Sequence, residues 1–115
     1  MNQYAVLIYN DDSAHAPDAS PADTASCDDH AEDLRAEESM VLAYALTPRS
    51  MAVSLRAGST VGEPFVPGGP IVAGFYIIEA PDLDSALAIA RTNPVLTEGG
   101  GVEVRPVHSG GLVDR

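Results

Sequence analysis

The sequence predicts a single α+β domain with the element order β-α-β-β-α-β, an antiparallel sheet and two helices on one face of that sheet. Three observations support this prediction. The chain has 115 residues, which is the size of one domain. Strand-like apolar runs open the chain, recur in its middle and close it, with two helix-like stretches between them. The runs at residues 4–9 and 75–78 are apolar at every position, which is typical of strands covered on both faces.

The first strand is predicted over residues 3–10, where successive side chains alternate between two apolar faces. A helix is predicted over residues 21–38, with Ser20 as its N-cap and Pro21 at its first position. His30 lies at the edge of the apolar stripe of this helix. The stripe is thin and has three members at helical spacing: Cys27, Ala31 and Leu34.

The middle of the chain predicts extended structure with several interruptions. A second strand is expected over residues 40–46 and ends before Pro48. A third extended stretch is expected over residues 51–56, and Gly58 marks the turn that follows it. A short hairpin arm over residues 60–66 then leads into a loop rich in proline and glycine at residues 67–70.

The last third of the chain carries the clearest helix. A strand is predicted over residues 74–80, and a helix over residues 83–92 has apolar residues at i, i+3, i+4 and i+7. Asp82 is its N-cap and Pro94 ends it. A final strand over residues 102–107 completes one domain spanning residues 1–108, and residues 109–115 form a tail.

This order is the ferredoxin-like arrangement, and it creates a packing problem. Two helices cover one face of the sheet, yet the two central strands are apolar on both faces. A bare second face would be a larger apolar patch than soluble monomers expose. We therefore expect a homodimer packed sheet to sheet, with a cleft for a small organic ligand between the sheets or at their mouth.

Composition excludes several classes of function. The net charge is −11 and all six basic residues are arginine, so neither nucleic acid nor an anionic membrane surface is an expected partner. The N-terminus lacks the basic region of a signal peptide, and no apolar run is long enough to cross a bilayer, which predicts a cytoplasmic protein. A single cysteine, Cys27, excludes an intramolecular disulfide and a cysteine-rich zinc site.

Several segments of the chain together suggest a known family. They are YAVLIYNDD at 4–12, ALTP at 45–48 with AVSLR at 52–56, FYIIE at 75–79 with DLDSAL at 82–87, and VEVRPVH at 102–108. With His30 and Pro64-Phe65, these segments resemble the YCII-related proteins, in particular the subgroup named for its Asp-Gly-Pro-Phe motif. His30 is similar to the histidine of that family's first helix, and Pro64-Phe65 to the end of its motif.

The resemblance implies a ferredoxin-like dimer of the dimeric α/β-barrel kind. It also implies a cleft around His30 and an acidic residue that partners this histidine. Some relatives are thought to be lyases acting on small aromatic compounds, and others are linked to alternative sigma factors. This chain departs from the motif, because Gly62 stands at the position of the aspartate and Glu63 follows it. The loop after the motif also lacks the usual charged residues.

His30 and Glu63 are the candidate catalytic residues. A neutral imidazole beside a cleft can accept a proton near pH 7, and Glu63 could orient or protonate it. The alternatives are a helix histidine without a role and a solvated turn carboxylate. Arg56 could hold a substrate carboxylate with its planar fork, or it could pair with Glu79 or Glu103.

Three aromatic residues complete the predicted substrate site: Tyr9, Tyr76 and Phe65. The phenols could face a cleft, although packing in the core is the commoner role of such residues. Asp11, Asp12 and His15 are too weak a pattern for a metal site, so neither a metal nor a cofactor is predicted.

Three functional hypotheses follow. The first is an acid–base enzyme of lyase type that uses His30 on a small molecule. The second is a binding or regulatory module without catalysis, with the acidic segment as its contact to a transcription factor. The third is a dimer whose cleft is closed by apolar side chains, namely Val66, Ile71 and Val72.

Overall fold

The computed structural model describes residues 1–18, 20, 29–30, 32 and 39–112. Within these residues the chain forms six strands and one α-helix. They are β1 (Asn2–Asn10), β2 (Met40–Ala45), β3 (Ser54–Arg56), β4 (Ser59–Val61), β5 (Ile71–Ala80), α1 (Leu83–Ala90) and β6 (Gly101–Pro106).

Four of the strands form one antiparallel sheet in the order β2-β5-β1-β6. The predicted α+β class and the antiparallel sheet are therefore confirmed. Asp29, His30 and Glu32 have helical backbone, and most of the first helix predicted over residues 21–38 lies outside the described residues, as does its apolar stripe. No helix among the described residues is long and apolar enough to cross a membrane.

Differences from the predicted boundaries follow from local chemistry. The extended stretch predicted over residues 51–56 forms a strand only from Ser54, because residues 49–51 form a short 3-10 helix. Pro48 precedes this helix, and the Asp12 carboxylate accepts the Arg49 backbone N–H at 2.7 Å. β5 begins at Ile71 rather than Gly74, since a bulge lets it continue pairing with Tyr9. The predicted hairpin arm ends at Val61.

Helix α1 covers one face of the sheet. The Asp82 carboxylate caps it by accepting the Ser85 backbone N–H at 2.8 Å, as the sequence predicts. This hydrogen bond also lowers the pKa of Asp82. The helix turns its small residues to the sheet, which lets it approach closely. The buried core comprises Tyr4, Val6, Tyr76, Ile78, Ala80, Ala86 and Ala90.

The opposite face, which we call the open face, carries the alternate side chains of the same strands. Ala5 pairs with Ile77 and Leu7 with Phe75, and all four side chains are partly exposed. Tyr44 on β2 packs its ring 5.7 Å from that of Phe75 and remains 61% exposed. The open face is therefore apolar and, in the single chain, incompletely covered.

The hairpin of β3 and β4 stands apart as a two-stranded sheet. Such a hairpin is marginally stable by itself in water, so its attachment to the rest of the chain matters. Ser54 Oγ donates to the carbonyl oxygen of Glu63, and Arg56 donates to that of Phe65 at 3.1 Å. These bonds join the hairpin to the loop that follows it.

Candidate functional site

A cavity of about 510 Å³ lies where the ends of β1 and β5 meet the loop before β5. Its walls are mostly apolar, and we call it the Phe65 cavity. The lining residues that matter most for its chemistry are Tyr9, Leu46, Arg49, Phe65, Val66 and Val72. Val66, Ile71 and Val72, which close the cleft in the third hypothesis above, are among the lining residues.

The sheet positions one wall of the Phe65 cavity. Tyr9 and Val72 are direct partners on neighbouring strands, next to the bulge in β5. Tyr9 follows the open-face alternation of Ala5 and Leu7. The cavity therefore opens on the open-face side of the sheet, away from helix α1.

Arg49 holds the other walls together. The Asp12 carboxylate accepts its backbone N–H, and this bond is the main cause of a lowered Asp12 pKa. The Arg49 guanidinium donates to three backbone carbonyls: Asp11 at 3.0 Å, Pro67 at 3.4 Å and Gly69 at 2.7 Å. Gly69 has φ +77°, a conformation that favours glycine and aims its carbonyl at the guanidinium. One side chain thus fixes two loops beside the cavity.

Arg56 supports Phe65 from outside. Its guanidinium carbon lies 3.8 Å from the centre of the Phe65 ring, which is a cation–π contact. Arg56 also donates to the Phe65 carbonyl. Phe65 would otherwise be a loosely held side chain, since it is 57% exposed. Arg56 therefore positions the aromatic wall of the cavity.

His30 lies on the other side of the sheet, close to α1. Its Nε2 is 2.8 Å from Thr92 Oγ1, and the Thr92 hydroxyl donates to the Ile89 carbonyl at 2.7 Å. A hydroxyl has one hydrogen, so His30 Nε2 must be the donor in the first bond. The His30 ring also meets Tyr76 edge to face, with centroids 5.9 Å apart.

Tyr76 is 2% exposed, and in the described part of the chain its hydroxyl has no partner with hydrogen-bond geometry. Burial raises the pKa of this hydroxyl, while the neighbouring Asn93 side chain acts in the opposite direction. Asn93 is itself buried, and its side-chain oxygen accepts the Val95 backbone N–H at 2.9 Å. A buried phenol without a partner is costly, and it marks a polar spot in an otherwise apolar core.

Replacing Tyr76 with phenylalanine is expected to stabilise the protein by about 1 kcal/mol, because it removes an unpaired buried hydroxyl and keeps the ring. The pKa of Tyr76 is raised in the folded protein, so the folded state keeps the phenol proton more strongly than the unfolded chain does. The free energy of unfolding is therefore undiminished below about pH 10 and falls as the pH rises through the folded-state pKa. Urea unfolding at neutral and alkaline pH measures both effects. Tyr76→Phe should show a shallower alkaline decline than the wild type. A destabilised variant would mean that the hydroxyl has a partner.

The structure divides the predicted site residues into two groups. Tyr9 and Phe65 line the cavity and Arg56 supports it, whereas His30 and Tyr76 meet on the covered side. Glu63 is exposed in the loop after β4, where its backbone carbonyl binds Ser54. His30 and Glu63, the predicted catalytic pair, therefore lie on different elements and contact different residues.

Arg49 is the residue that the sequence analysis did not single out. The sequence contains one weak indication of its importance: Arg49 is one of only six basic residues in the chain. The acidic loop before it has structural roles: Asp12 caps Arg49, and Ser13 Oγ accepts the His15 backbone N–H at 3.1 Å. Among the described residues, no three His, Cys, Asp or Glu side chains are placed to hold a metal ion.

Comparison with known proteins gives one clear result. None of the curated proteins matches the chain significantly. The family model of the YCII-related domain, by contrast, matches residues 2–109 and so includes both the Phe65 cavity and His30. This match contains the whole sheet and helix α1, and the chain belongs to the YCII-related domain family.

Proposed function

We propose that this YCII-related domain binds a small, largely apolar organic molecule in the Phe65 cavity. The observation that carries the proposal is the cavity itself, whose volume of about 510 Å³ falls in the usual range for ligand pockets. Its walls combine aromatic and aliphatic surface from Tyr9, Phe65 and Val72 with one charged side chain, Arg49. Such a pocket favours a ring or a branched hydrocarbon body.

The proposal extends to a ferredoxin-like fold and a homodimer, as the resemblance to the Asp-Gly-Pro-Phe subgroup implies. The strand order β2-β5-β1-β6 supports the fold, because it is the order that a β-α-β-β-α-β chain gives when its two halves interleave. Partly exposed Leu7 and Phe75 support the dimer, because a second copy would cover them. The second copy would also roof the Phe65 cavity.

A cavity-filling variant tests the proposal. The probes are neutral aromatic compounds, indole and naphthol, and binding is measured by calorimetry and by the rise in melting temperature. Val66→Trp fills the cavity from an exposed loop position and is expected to weaken binding at least tenfold. Leu96→Trp, a matched change at an exposed residue outside the cavity, should bind as the wild type does. Equal binding by both variants would place the ligand elsewhere.

A second candidate is acid–base chemistry at His30, and the unpaired Tyr76 hydroxyl beside it favours this candidate. The same probes applied to His30→Ala separate the two. Loss of binding in His30→Ala with retention in Val66→Trp would assign the ligand to the covered side. The regulatory alternative depends on acidic residues between 11 and 38, many of which lie outside the described residues, and it stays a prediction.

A further inference from the structure

We infer that the ligand of the Phe65 cavity carries a carboxylate, and that the Arg49 guanidinium receives it. The inference rests on the proposed function and names its ligand class: an aromatic or branched apolar body with one carboxylate. The first reason is the uneven distribution of charge in the cavity wall. Of the described residues that line the cavity, Arg49 alone is charged, and no carboxylate shares the wall with it.

The hydrogen bonds of Arg49 leave room for such a group. A guanidinium has five N–H donors, and three of them in Arg49 donate to backbone carbonyls. The carbonyls are neutral dipoles, so they fix the planar fork without neutralising it; the Asp12 carboxylate interacts with the Arg49 charge but accepts its backbone N–H rather than a guanidinium N–H. Two N–H groups have no partner among the described residues, and Arg49 is only partly exposed. A fork held in this way is preorganised for a carboxylate.

The charge pattern of the chain gives a second, independent reason. Residues 40–78 contain two arginines and one acidic residue, so this segment has a net charge of +1 within a chain of −11. It includes most of the cavity lining, and its only acidic residue, Glu63, is not part of that lining. Most of the cavity lining thus comes from the least negative segment of the sequence, and the Asp12 carboxylate lies beside Arg49 from outside that segment. An anion is repelled less here than over the acidic remainder of the chain.

The same facts limit the ligand to one compact anionic group. The remaining lining is mostly apolar, and a second negative charge would be desolvated there without a partner. A planar carboxylate matches the fork of the guanidinium with two parallel hydrogen bonds. Inorganic phosphate lacks the apolar body that the other walls would bury, so it is not expected to bind or to compete.

A matched pair of probes tests the inference on the wild-type protein alone. Naphthoate and naphthamide share their ring and differ in charge, and calorimetry measures both affinities. We expect naphthoate to bind at least tenfold more tightly at low ionic strength and to lose part of this advantage as salt is added. Equal affinities would overturn the inference and leave the proposed function intact. Binding by neither probe would overturn the proposed function as well.

Variants then assign the effect to Arg49. Arg49→Gln should abolish the preference for naphthoate, even if a loosened loop weakens both probes. Arg49→Lys keeps the charge without the fork and should retain part of the preference. Arg56→Gln is the matched control: it also removes one positive charge, but from outside the lining, and it loosens Phe65, so both probes should weaken while the preference for naphthoate persists. A preference that persists in Arg49→Gln would overturn the role of Arg49.

Discussion

Gly100→Ala is expected to lower the free energy of unfolding by about 2–3 kcal/mol, although it adds only one methyl group. A Cβ at this position would lie 2.4 Å from Val95 Cγ2 and 2.5 Å from the Tyr9 carbonyl oxygen. Val95 is buried, and the Tyr9 carbonyl belongs to a central strand. The Tyr9 carbonyl cannot move without disturbing the sheet, so a rotation of the Val95 side chain would not relieve the clash by itself.

Urea unfolding of the variant measures this loss, and the neighbouring glycine supplies the control. A Cβ on Gly101 would meet nothing within 4 Å, and its φ lies outside the left-handed region. Gly101→Ala should therefore change stability by less than about 0.5 kcal/mol, or raise it slightly through the unfolded chain. If both variants lost the same stability, glycine flexibility in this turn would explain the effect and the close approach would not.

The strands and helix α1 could be predicted because their signals are local. The continuous apolar run over residues 4–9 and the spacing of three and four over residues 83–90 indicate a strand and a helix without reference to any distant residue. The capping role of Asp82 could be predicted because the N-cap interaction spans only three residues of the chain. The 3-10 helix at residues 49–51 escaped prediction for the opposite reason. Its cap comes from Asp12, which is 37 residues away along the chain.

The candidate site was harder to predict because it depends on which face each strand residue takes. Tyr9 and Tyr76 both lie on central strands, and the sequence analysis offered both phenols to one cleft. The register pairs Tyr76 with Val6 of the buried core, whereas Tyr9 pairs with Val72 beside the cavity. Register between distant strands has no local signal, so the two phenols could not be separated beforehand.

The role of Arg49 was still harder to predict from the sequence. Its role depends on carbonyl groups of Asp11, Pro67 and Gly69, and a backbone carbonyl has no signature in the sequence. The sequence favours Arg56 instead, because Arg56 ends a predicted strand. In the structure Arg56 contacts Phe65 from outside the lining. Residues that act through backbone groups are thus visible only once distant segments have been placed.

Tyr44→Glu is expected to raise the dissociation constant of the proposed dimer at least tenfold. Tyr44 lies on the open face, 61% exposed, with its ring against Phe75. Its exposure means that the single chain loses little packing when it is replaced. In a two-fold dimer each copy would bring one new carboxylate to the same buried surface, and charges of one sign across an interface cost several kcal/mol.

Sedimentation over a range of micromolar concentrations measures this shift, and Leu83→Glu is its control. Leu83 is 44% exposed at the start of α1, on the covered side, where an added acid suits the helix dipole. Both variants change the net charge equally, so a difference between them isolates the open face from the general repulsion of an acidic protein. If the wild type sediments as one chain at these concentrations, the dimer is wrong. The incompletely covered open face would then require a different partner, and the Phe65 cavity would have to bind its ligand without a roof.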